Sequence, residues 1–74
     1  MWWSYQTDVG TFSIKPVQGG KFALYIDDEP LGTPQWTAGL AAHDVWMRST
    51  GHKPWDDQDE IGYPRDIDDW QKHR

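Results

Sequence analysis

The side chains able to do chemistry in this chain are three histidines, a dense set of carboxylates and three serines. A zinc site needs three or four ligands converging at about 2.0–2.3 Å. His43, His52 and His73 form no helix-borne pair of the H-x-x-x-H type, and no cysteine is present to complete a mixed set. The acidic stretch invites a calcium reading. With Asp57 as the first position of an EF-hand loop, Asp59 and Gly62 fall where they should, but Ile61 takes a position that needs an oxygen ligand. Pro64 replaces an apolar residue, and Asp68 stands where a bidentate Glu belongs, so a solvated acidic loop is the better description.

Catalysis finds no better footing. The absence of cysteine removes disulfides, thiolate metal sites and a cysteine nucleophile together. Ser4, Ser13 and Ser49 have no histidine beside them in the local pattern, which leaves only the pairing of distant residues open. Asp27, Asp28 and Glu29 cluster on a turn in contact with water, without the burial that tunes a carboxylate for acid–base work. Gly19-Gly20 is too short to cradle a phosphate and precedes a strand rather than a helix. The expectation is no catalytic residue, no metal and no cofactor.

Aromatic residues are the larger signal. Six tryptophans (Trp2, Trp3, Trp36, Trp46, Trp55 and Trp70), three tyrosines and two phenylalanines are spread from end to end of 74 residues. Each buried ring removes roughly 150–250 Å² from water, enough for a few of them to hold a domain that buries only about 60% of its unfolded surface. Their spread predicts a fold that uses both ends of the chain. Trp3 and Tyr5 share one face of a strand and Trp2 takes the other, so one helix cannot cover all three. Trp2, Trp3, Tyr5 and Tyr25 are therefore the candidate interaction surface. Stacking of nucleic-acid bases on these rings would need a basic groove to follow the phosphates, and the sequence has none.

The elements that position these residues follow from periodicity. Trp2–Thr7 is a short aromatic strand. Thr11–Val17 and Lys21–Asp27 alternate around the Gln18-Gly19-Gly20 connection and form a hairpin. Asp27-Asp28-Glu29-Pro30 turns the chain toward a short fourth strand over Leu31–Trp36. The predicted inward set is Phe12, Ile14, Phe22, Leu24, Ile26 and Leu31. A helix over about 37–50 follows, with Thr37 as N-cap and Thr33-Pro34 as a competing start. Ala38, Ala41, Ala42, Val45, Trp46 and Ser49 lie on its inner side, His43 faces away, and Gly51 is the expected stop. Trp55–Glu60 reads as an acidic loop. Residues 66–73 read as a short C-terminal helix capped by Asp66, with Ile67 and Trp70 as its sticky side. The fold class is thus α+β: a three- or four-stranded antiparallel sheet packed against one α-helix. It forms a single domain over 1–74, whose acidic segment 54–74 docks through Trp55 and Trp70.

The string Gly10-Thr11-Phe12-Ser13-Ile14-Lys15-Pro16, then Phe22-Ala23-Leu24-Tyr25-Ile26, Leu31-Gly32, Ala41-Ala42-His43-Asp44-Val45, Thr50-Gly51 and Trp55-Asp56 resembles small uncharacterised bacterial proteins with an antiparallel sheet covered by one helix. The resemblance spans most of the chain through core and turn residues. It implies that fold and a bacterial source and carries no activity with it. The helix-last order and the acidic balance depart from double-stranded-RNA-binding domains.

Net charge is −5 and uneven: Trp55–Trp70 holds seven acids against Arg65. Without clustered Lys and Arg, direct binding to nucleic acid or to an anionic membrane is not expected. No signal peptide or membrane-spanning run is legible, so a cytoplasmic location is expected. The function these observations predict is a small non-enzymatic interaction module acting on a protein partner or as a homo-oligomer. The alternative is an acidic nucleic-acid mimic, or a regulator of a nucleic-acid-binding protein, and a small enzyme comes third.

Overall fold

Alternation of apolar and polar residues decides the first half of the chain. In the computed structural model, which describes residues 1–58 and 64–74, four strands follow one another: β1 (Trp2–Thr7), β2 (Gly10–Val17), β3 (Lys21–Ile26) and β4 (Glu29–Gln35). Two connections depend on positive φ. Gly19 and Gly20, at φ 84° and 73°, turn β2 into β3, and Asp27 and Asp28, at 48° and 70°, turn β3 into β4. Two successive positive φ values are what a tight hairpin between right-twisted strands requires. Asp27 also accepts the Thr11 N–H at 3.0 Å, which ties that end of the hairpin.

The sheet is antiparallel and has five strands, in the order β4-β3-β2-β1-β5, rather than three or four. Its fifth strand, β5 (Gln71–His73), corrects the expected C-terminal helix over 66–73. Asp66 does cap, with Asp69 completing a capping box, but the result is one 3-10 turn over Ile67–Asp69. So short a helix closes few hydrogen bonds for the residues it fixes. At Trp70 the backbone turns extended, φ −93° and ψ 152°, as the indole enters the core. The next three residues then find the unpaired edge of β1, with Trp2 opposite His73, Trp3 opposite Lys72 and Ser4 opposite Gln71. Both chain ends meet in one ladder.

One face of the sheet carries the core. Phe12, Ile14, Leu24 and Ile26 are buried against Ala38, Ala41, Ala42 and Val45 of α1 (Ala38–Trp46), while Phe22 and Leu31 close the margin half-buried. The alanines let the helix axis lie close to the sheet. Thr37 caps α1 through a 3.1 Å bond from the Leu40 N–H. The helix stops at Trp46, short of the expected 50, because Arg48 takes the left-handed position at φ 57°. Bonds from the Ser49 N–H to the Asp44 carbonyl and from the Arg48 N–H to the Val45 carbonyl complete that stop. Gly51 serves the following turn instead.

The Thr50-Gly51 and Trp55-Asp56 pairs form one clasp. Asp56, at the end of the single-turn helix α2 (Lys53–Asp56), accepts from the Thr50 N–H, the Thr50 hydroxyl and the Gly51 N–H at 3.1, 2.8 and 2.8 Å. The acidic loop thus begins as a helical turn. Trp55 donates its indole N–H to the Val45 carbonyl at 2.9 Å and meets Phe12 edge-on. Trp55 and Trp70 are 4% and 5% exposed, so both anchors of the C-terminal segment are in the core.

Candidate functional site

The helix-free face of the sheet is built from alternate residues of four strands. Register places Ser13 beside Ser4 and Tyr25, Lys15 beside Ala23, and Trp2 beside His73. A row of side chains runs across this face. The Trp2 indole and the His73 imidazole are stacked, 4.0 Å between centroids and 16° from parallel. The Lys15 ammonium stands 5.2 Å from the Trp2 ring centre and 5.5 Å from that of Tyr25. Rings stacked along the line joining neighbouring strands stand upright, edges outward, so their faces contact one another rather than solvent. Ser13 and Ala23, at the foot of the row, are buried although no helix covers this side. Further along, the Lys21 ammonium lies 4.5 Å from the ring centre of Trp36, the most exposed tryptophan at 69%.

Of the four expected surface residues, the structure brings Trp2 and Tyr25 together here and takes Trp3 and Tyr5 to the other face. Trp3 packs edge-on against Phe22, and Tyr5 lies against Trp70, both half-buried beside the core. The pleat requires this split, since neighbours on a strand point to opposite faces. Lys15, Lys21 and His73 are members that sequence reasoning did not place in the site. The first two were legible in strand alternation, which sets them on the face of Tyr25. The third needed β5, which periodicity did not reveal.

β5 also makes a pairing that spacing could not disclose: the Ser4 hydroxyl and His73 Nε2 are 2.8 Å apart, across 69 residues. A nucleophilic serine needs such a base, but also a group that orients the imidazole and donors for a developing oxyanion. Among the described residues no hydrogen bond to His73 Nδ1 is present, and the pair lies on an open sheet rather than in a cleft. The bond fixes the imidazole against Trp2.

The other histidines remain apart. His43 is exposed and edge-on to Trp46, and His52 caps α2 with its backbone. Among the described residues no group of three or more His, Asp or Glu is placed to hold a metal. Asp59, Ile61 and Gly62 of the EF-hand alignment lie outside the described residues. Several acids of the C-terminal segment accept hydrogen bonds from backbone donors. Asp56 holds the clasp, Asp66 accepts the Asp68 N–H at 2.9 Å, and Asp69 accepts the Arg65 N–H at 2.8 Å. A small polar cleft of about 180 Å³ opens between β4 and the end of α1, where Gln35 donates to Asp44 at 2.8 Å. Among the described residues no helix is long and apolar enough to cross a membrane. No protein-family model matches the chain, and no curated protein or solved structure matches it.

Proposed function

We propose that this protein is a non-enzymatic interaction module, working through the helix-free sheet face by contact with a protein partner or a second copy of itself. The observation that carries this reading is the row His73–Trp2–Lys15–Tyr25. Aromatic rings are enriched at the centres of protein interfaces, and rings held by their neighbours lose little further freedom on binding. The Ser4–His73 bond holds the row at a further point.

The test compares wild type with a Trp2→Ser/Tyr25→Ser double variant by sedimentation velocity, with circular dichroism to check the fold. Neither residue belongs to the helix-side core, so the variant keeps the wild-type spectrum. Wild type is expected to sediment as an assembly, or with its partner, and the variant alone as a monomer. Identical sedimentation and identical partner retention for both proteins would remove this face from consideration.

A further inference from the structure

We infer that the partner this face accepts is a carboxylate-rich segment of another protein; the inference rests on the interaction reading above and names its chemistry. Charge is sorted between the sheet and the rest of the chain. Strands β1, β2, β3 and β5 contain three of the seven Lys and Arg and none of the twelve Asp and Glu. Twelve acids against four bases remain for β4, the helices and the connections. On the open face itself stand Lys15, Lys21 and His73.

The edges that the Trp2–His73 stack turns outward are electropositive. An aromatic ring is negative on its face and positive at its edge, and upright stacking hides the faces and presents the edges. The Lys15 and Lys21 ammonium groups, held against Trp2, Tyr25 and Trp36, add donors that a carboxylate accepts in line. The chain already shows the contact. Asp28, 88% exposed on the turn after β3, reaches Lys15 at 3.7 Å and occupies the place of an incoming carboxylate.

Two other occupants fit less well. A single-stranded nucleic acid stacks its bases on ring faces and gains affinity from many phosphate contacts. Here Trp2 and Tyr25 already have the Lys15 ammonium against their rings, and Trp2 is stacked on His73 as well, while two lysines are too few to follow a phosphate backbone. A second copy docked face to face would set lysines against lysines. Docked head to tail, it would build a ring or an open filament rather than a two-fold dimer.

The experiment titrates the protein with a short glutamate-rich peptide, following the Trp2 indole N–H and Tyr25 amide signals by NMR. A lysine-rich peptide of equal length and oligothymidylate serve as competitors. The glutamate peptide should shift both signals, less so as salt is raised. Lys15→Gln/Lys21→Gln should weaken binding about tenfold, as expected for two exposed ion pairs. Asp28→Asn, which removes the internal carboxylate at a position where Asn tolerates positive φ, should tighten it by about threefold. Unmoved signals, equal shifts with the lysine peptide, or tighter binding of oligothymidylate would each overturn the acidic-segment assignment. If the peptide fails while Trp2→Ser/Tyr25→Ser still alters sedimentation, only the partner chemistry falls. If neither has an effect, the interaction face falls with it.

Discussion

Trp55→Phe and Trp70→Phe make the same chemical change at two sites of equal burial, so their difference reports on the two indole N–H groups, one bonded and one without a partner among the described residues. Each substitution removes roughly 40 Å² of buried ring, worth about 1 kcal/mol at roughly 25 cal/mol per Å². Trp55 also loses its 2.9 Å bond to the Val45 carbonyl, a further loss of about 1 kcal/mol. That carbonyl is not orphaned, because it still accepts the Arg48 N–H at 3.2 Å. At Trp70 the indole N–H is buried with no partner among the described residues. Its removal recovers a desolvation penalty of about 1–3 kcal/mol, which offsets the lost ring. Trp70→Phe is therefore expected to be near neutral and Trp55→Phe to destabilise by about 2 kcal/mol. Urea unfolding followed by circular dichroism reads this directly. With a slope near 1 kcal/mol per M for a small domain, the two midpoints should differ by about 2 M at equal slope. Equal midpoints, or a lower one for Trp70→Phe, would refute the assignment of the two indole N–H groups as the deciding factor.

Ala42→Asp should unfold the protein, since a carboxylate placed in the fully buried helix–sheet contact costs several kcal/mol against a total of the order of 4–11 kcal/mol; a wild-type melting curve would mean that this face of α1 is not the packed one. Deleting Gln71–Arg74 should leave the core folded and expose the β1 edge, read as faster hydrogen exchange at amides of Trp2–Ser4 with helix amides unchanged. Gly10→Ala should destabilise by about 1–3 kcal/mol in thermal unfolding, because φ is 135° and a Cβ would come 2.7 Å from the Asp27 carboxylate and 2.9 Å from Ile26 Cδ1; an unchanged midpoint would show that this bend relaxes freely.

Trp2, Lys15 and Tyr25 stand over the buried Ser13 and Ala23 as a second layer would, and the same row is the contact surface proposed above. Substitutions there read out on binding with a smaller stability term than those at Trp55 or Val45, because the row lies outside the helix-side core.

Local rules were sufficient where neighbours in sequence decide the outcome. Strand alternation predicts the Phe12–Ile26 hairpin and its inward residues, because side chains on a pleated strand alternate whatever lies beyond them. Thr37 caps α1 as its type and place require, and the pleat alone divides Trp2 from Trp3 and Tyr5. Distant contacts decided the rest. Residues 66–73 have a helix's capping signal, yet only the docking of Trp70 and the vacant edge of β1, about 70 positions away in sequence, turn Gln71–His73 into a strand. The end of α1 was lost for a related reason. Arg48 accepts a left-handed backbone that a glycine would ordinarily take, and its guanidinium lies 4.1 Å from the ring centre of Trp55. The candidate site divides along the same line. Lys15 and Tyr25 share a face by alternation, whereas His73 reaches Trp2 and Ser4 only because the last strand closes against the first. Sequence pattern records which way a residue points along its own strand; which strand lies beside it depends on edges and anchors that only the folded chain brings together.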